Sequence, residues 1–177
     1  MFGKPTSRKQ KSFGGMRAGM RAQAIVEFSI ALPVLLLMLV GIMEAGRMLF
    51  MYASVVNSSR DAVRYASAYG RSDVSPNYYL KYKYCAGIAD VARKSGFILK
   101  NPVITITYDT GPGGTSLGSC PTSTVGEASV NVDTGDRVTV TVSATYSPIM
   151  NKLLPFGTRT FTATSSRTIL GVLDLDN

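Results

Sequence analysis

Three hydrophobic patterns follow one another along the chain. From Phe28 to Met43 the sequence FSIALPVLLLMLVGIM runs for sixteen positions without a charge. Extended back to Ala24 the stretch has twenty residues and is broken only by Glu27. A helix of that length covers about 30 Å, the hydrocarbon thickness of a bilayer. Ten positions between Phe28 and Ile42 are strongly apolar; at roughly −0.3 to −0.6 kcal/mol each they favour insertion by about 3 to 6 kcal/mol. Beyond the span, Tyr52, Val55, Val56, Ser59, Ala62, Val63 and Ala66 recur at helical spacing, with Asn57, Ser58, Arg60, Asp61, Arg64 and Ser67 on the other side. The spacing therefore predicts one helix over about 24–69, roughly 70 Å long, stopped by Gly70. Pro33 should kink it, because its nitrogen cannot donate to the Ser29 carbonyl.

A second, short helix is predicted from Ser75 as N-cap, with Pro76 at the first helical position, to a stop at Gly96. Leu80, Tyr84, Ile88, Val91 and Ala92 form its apolar face, and Arg93 and Lys94 suit its C-terminal dipole. The period then falls to two. Ile104, Ile106 and Tyr108 alternate with threonines, and Val138, Val140, Val142, Ala144 and Tyr146 alternate with Thr139, Thr141, Ser143 and Thr145. Residues 159–168 form a more polar strand, and a short strand at 127–132 should pair with 137–146 across the turn Asp133–Asp136. Such alternation belongs to an antiparallel sheet with one covered and one wet face. Residues 109–126, rich in Gly, Ser, Thr and Pro, read as a loop.

Charge orients this layout. Residues 1–22 hold Lys4, Arg8, Lys9, Lys11, Arg17 and Arg21 and no acid, so six of the eight net positive charges precede the span. The fifteen residues after Met43 hold one acid, Glu44, and one base, Arg47. The positive-inside rule places the N-terminus in the cytoplasm and the chain after about residue 45 outside. A secretory signal peptide is the competing reading, but its apolar region is shorter and is followed by a cleavage site rather than by more helix. The rest of the chain is nearly neutral, which argues against a nucleic-acid surface. The cations of residues 4–11 are better explained by topology and anionic lipid.

The chain has no histidine and two cysteines, which excludes Ser-His and Cys-His catalysis, His-ligated metal and a four-thiolate zinc site. Ser95 beside Lys94 is the one conceivable nucleophile–base pair, and adjacent helix residues point apart. Gly111–Gly114 lacks the Lys-Ser/Thr of a phosphate loop. Asn131, Asp133 and Asp136 lack EF-hand spacing and fit a turn. Neither a catalytic site, a cofactor nor a metal is expected. Cys85 and Cys120 are either two separate thiols or, outside the cytoplasm, a disulfide closing a loop of about 36 residues; we expect the disulfide. Gly41 and Ala45 have the spacing that lets membrane helices approach. Glu44 and Arg47 are one turn apart and can pair locally or meet other subunits. Glu27 is the most informative position: a carboxylate in an apolar span either snorkels to the interface or has a partner.

Residues 22–50, AQAIVEFSIALPVLLLMLVGIMEAGRMLF, resemble the N-terminal signature of TadE-like proteins, the minor pilin-like components of tight-adherence (Flp-type) pilus systems. The resemblance rests on Gln23, Ala24, Val26, Glu27, Phe28, Pro33, Glu44, Gly46 and Arg47, and continues through Asn57, Arg60, Ala62, Arg64 and Tyr65. It implies maturation by a prepilin peptidase between Ala22 and Gln23, which would leave a free amine on Gln23 to face the Glu27 of a neighbouring subunit. Ala22 stands where the family usually has Gly, and cutting after Gly19 instead would put Glu27 out of register.

The expected architecture is an α+β, pilin-like fold: a cytoplasmic leader (1–22), a transmembrane helix (23–45), its extracytoplasmic continuation (46–70) and an α+β domain (71–177) with a second helix and a small antiparallel sheet. The expected role is structural, as a minor pilin or pseudopilin working in pilus assembly, adhesion or secretion. Glu27, Phe28, Pro33, Glu44 and Arg47 are its candidate assembly residues. Its expected partners are membrane lipids, other pilin subunits, the assembly machinery and the peptidase, and no nucleic acid. The alternative is an uncleaved, single-pass envelope protein whose external domain binds a partner.

Overall fold

The computed structural model describes residues 15–72, 79–120, 130–149 and 157–171, with side chains from Ala22 onward. The described residues form two helices and four strands: α1 (Gly15–Ser67), α2 (Cys85–Ser95), β1 (Val103–Asp109), β2 (Ser116–Cys120), β3 (Arg137–Tyr146) and β4 (Arg159–Thr168). The chain divides into two compact units, Met1–Met43 and Glu44–Asn177, and the boundary falls inside α1.

The first unit contributes the apolar half of α1. The helix begins nine residues before the predicted start, because Met, Arg, Ala and Gln from residue 16 to 23 are strong helix formers interrupted only by Gly19. It continues through Pro33, and the Ser29 hydroxyl donates to the Ile25 carbonyl at 2.7 Å. Its large apolar side chains from Ile25 to Met43 are exposed, apart from the half-buried Val40. The stretch is long and apolar enough to cross a membrane.

In the second unit, the α1 segment beyond Glu44 packs into a core with α2 and one face of the sheet. Val55, Ala62, Val63 and Ala66 meet Ile88, Ala89 and Ala92 of α2, Ile104, Ile106 and Tyr108 of β1, and the valines of β3. Each fully buried Val or Ile contributes roughly 1.5–3 kcal/mol. Two residues assigned to the polar side of α1 are buried instead. Ser58 donates to the Ala92 carbonyl at 2.6 Å and Ser67 to the Arg64 carbonyl at 3.3 Å, so both hydroxyls are satisfied against the packing surface. Tyr52, expected in the apolar stripe, is exposed and meets the Phe161 ring edge-on at 5.9 Å. α1 ends at Ser67, and Gly70 takes the left-handed φ of +122° that a chain reversal needs.

The start of α2 is a correction. Ser75 and Pro76 lie outside the described residues, and the helix begins at Cys85, with Tyr84 before it offering no side-chain cap. Residues 79–84 are not free to coil: Leu80 bridges Arg71, Ser72 N–H donates to the Tyr79 carbonyl at 2.7 Å, and Lys81 N–H to the Gly70 carbonyl at 3.1 Å. Leu80 and Tyr84 therefore precede the helix whose face they were assigned to. Gly87 is required by close approach, because a Cβ there would fall 2.2 Å from the Tyr84 ring and 3.1 Å from the Tyr65 hydroxyl. Gly87→Ala is expected to cost about 1–3 kcal/mol in chemical denaturation, since overpacking outweighs the helix propensity gained.

The sheet is antiparallel throughout, in the order β2-β1-β3-β4. Two strand expectations fail. β3 is flanked by β1 and β4 rather than by 127–132; residues 130–132 are not in a strand, and 127–129 lie outside the described residues. The segment read as one loop contains β2, paired with β1 across a turn at Gly111–Gly114 in which Gly111 and Gly113 have positive φ. Asp133–Asp136 is nevertheless a turn, closed by the Asp136 carboxylate accepting the Asp133 N–H at 2.9 Å. A fork of two hydrogen bonds, 2.7 and 3.0 Å, joins Arg137 to Asp109 and holds that carboxyl below its usual range.

Cys85 and Cys120 form a disulfide, with 5.7 Å between their Cα atoms. It ties the first residue of α2 to the last of β2. The Tyr108 hydroxyl donates to the Tyr82 carbonyl and lies 3.3 Å from Cys120 Sγ. Burial pushes that phenol well above its ordinary range.

Candidate functional site

The candidate residues fall into two groups, one in each unit. In the first unit Ala22, Gln23, Glu27, Phe28 and Pro33 all lie on α1 and are exposed. The Gln23 side-chain amide donates to the Glu27 carboxylate at 3.1 Å, one helical turn away. Glu27 thus has a neutral hydrogen-bond donor on its own helix, and among the described residues no cation pairs with it.

In the second unit Glu44 is buried, at 7% exposure, among three donors. Its Oε1 accepts the Tyr146 hydroxyl and, at 3.0 Å, the Ile149 backbone N–H; its Oε2 accepts Arg47 Nη1 at 3.1 Å. The Tyr146 hydroxyl also approaches the Glu44 carbonyl at 3.3 Å, and the Arg47 guanidinium lies 5.7 Å from the Tyr146 ring centre. Both oxygens of the carboxylate are engaged inside its own unit, and the pair Glu44–Arg47 is local. The last residue of β3 is thereby fastened to α1 across a separation of 102 residues. Sequence reasoning saw Arg47 but missed Tyr146 and Ile149. The available signal was Tyr146 itself, a tyrosine on the inward register of an otherwise aliphatic strand, whose hydroxyl needs a partner when buried.

Tyr146→Phe should lower stability by about 1–2 kcal/mol, because the carboxylate oxygen loses its strongest neighbour while staying buried. Arg47→Ala should cost less, under about 1 kcal/mol, since that guanidinium is 42% exposed. Urea unfolding followed by tyrosine fluorescence distinguishes the two.

The exposed apolar span carries one carboxylate, Glu27, and α1 runs on through Glu44-Ala45-Gly46-Arg47. Residues 22–64 match the TadE-like protein family. The match covers the resemblance from Gln23 through Arg64, both groups of α1 residues included. No curated protein and no solved structure matches the chain. The matched segment contains the helix that is long and apolar enough to cross a membrane, which fits a membrane location. Tyr146, Cys85, Cys120 and the whole sheet lie outside the matched residues.

Proposed function

We propose that the protein is a minor pilin or pseudopilin of a Tad (Flp)-type pilus, anchored with its N-terminus in the cytoplasm and its α+β domain outside. The observation that carries this reading is the position of Glu27, inside the apolar span of a TadE-like segment and five residues after Ala22. A prepilin peptidase cuts between Ala22 and Gln23, removing all six leader cations. The cut leaves a free α-amine on Gln23, a group that is ordinarily cationic in water at neutral pH. A carboxylate and an ammonium that are each costly in lipid are neutralised when they meet across a subunit contact, so helix packing becomes coupled to subunit order. Phe28 and Pro33 shape the surface around that contact. Neighbouring pilin subunits and the assembly machinery are the partners, and no chemistry on a small molecule is involved.

Intact-mass analysis of the protein extracted from membranes tests the processing step. The expected species begins at Gln23; a species beginning at Met1, in cells with an active prepilin peptidase, overturns it. One observation favours a second reading, an uncleaved anchor whose external domain binds a partner. Ala stands at position 22, where Gly is usual in the family. In that case Glu27→Ala leaves function intact.

A further inference from the structure

Among the described residues β4 is an edge strand: it pairs with β3 alone, over ten residues in unbroken register and without proline. Among the described residues its other edge has no main-chain partner. A row of free N–H and C=O groups is a template for another extended segment unless something blunts it. Beside this edge, a cleft of about 440 Å³ opens between α1 and β4. Arg60 and Arg64 line it from the helix, Arg167 from the strand. Read from the sequence, Arg60 and Arg64 are a solvated helix face; the fold adds the third guanidinium from more than a hundred residues away. All three are exposed, and among the described residues none is paired with a carboxylate. The one acid lining the cleft, Asp61, already accepts the Ser95 hydroxyl at 2.8 Å.

We propose that the β4 edge and this cleft together bind an extended, acidic segment of a neighbouring protein subunit. The strand edge supplies main-chain hydrogen bonds, and the guanidinium forks take carboxylates from the alternate side chains that face the helix. That the neighbour is another pilus subunit rests on the function proposed above; the edge and the cleft do not. A second copy paired through its own β4 fits poorly, because Arg159 and Arg167 would bring further cations to a cationic site.

The probe is a fluorescent Glu-Val-Glu-Val-Glu-Val peptide, titrated by anisotropy against the full-length protein in detergent. Saturable binding is expected, weakened at least tenfold in Arg60→Gln/Arg64→Gln/Arg167→Gln and weakened similarly when the peptide is N-methylated at alternate residues. Far-UV circular dichroism matching the parent shows that the variant folds. No binding by the parent protein overturns the proposal, as does equal binding by the triple variant or indifference to N-methylation. Inorganic phosphate displacing the peptide at the peptide's own concentration would mean a simple anion site. A tenfold gain in Asp174→Asn/Asp176→Asn would mean that the chain's own acids are the occupant. Both results overturn the neighbour. Because the readout is binding in vitro, it can fail while Glu27 still governs pilus production, and the reverse.

Discussion

Glu27→Gln is expected to cut surface pili at least tenfold while leaving the amount of protein in the membrane unchanged or slightly raised. Glutamine keeps the shape and can still accept the Gln23 amide now 3.1 Å from the carboxylate, so the local helix contact survives and the charge alone is removed. Insertion becomes easier, because a carboxylate costs up to about 2.5–3.5 kcal/mol at a helix centre and less near an end. On the proposed function assembly becomes harder, because the amine of the next subunit would enter the lipid without a counter-charge. Immunoblots of sheared pili and of membranes separate the two effects. Unchanged fibres, together with a leader that remains attached, would leave a plain membrane anchor.

Cys85→Ser/Cys120→Ser is expected to lower domain stability by about 3–4 kcal/mol, the loop-closure cost of a crosslink with a sequence separation of 35 residues. For a domain of this size the melting temperature should fall by roughly 15 °C. The loss should be uneven. Among the described residues β2 is a five-residue edge strand bonded to β1 alone, with a register shift at Tyr108/Asp109, and the disulfide is its covalent tie to α2. Hydrogen exchange should therefore accelerate in 116–120 before β1 and β3, which keep partners on both sides. Uniform acceleration across the sheet would contradict this, as would a melting temperature unchanged by the double substitution. Reduction of the parent protein should reproduce the effect.

Periodicity made β1, β3 and β4 legible, because each alternates over a face that is buried or half-buried on one side. The disulfide was legible from compartment and count, although Cys120 ends a strand rather than sitting in a free loop. β2 was hidden by its composition: Ser116-Leu117-Gly118-Ser119-Cys120 contains no β-branched residue, and Gly118 has φ +128°. Its pairing comes from β1 and the short turn between them. The start of α2 was misplaced because Ser75-Pro76 is a good cap signal, whereas the bridge from Arg71 to Leu80 is a tertiary contact that no local pattern announces. Glu44 shows the same limit at the candidate site. Its partner one turn away is visible in the sequence, and its two partners at and just beyond the end of β3 are not.

The wet side of the β3–β4 pair bears on how the domain meets its surroundings. Thr139, Thr141, Ser143 and Thr145 each face a hydroxyl of Ser166, Thr164, Thr162 or Thr160, at 2.8 to 3.5 Å. Slipping one strand by a single residue would turn this whole row inward and the valines outward, so the hydroxyl pairs and the core enforce the same alignment. None of these groups titrates between strongly acid and strongly alkaline conditions, and none depends on a counter-ion. The alignment of β3 on β4 therefore rests on contacts that neither brine nor acid removes, whereas the fork that joins β3 to β1 contains a carboxylate and an ion pair.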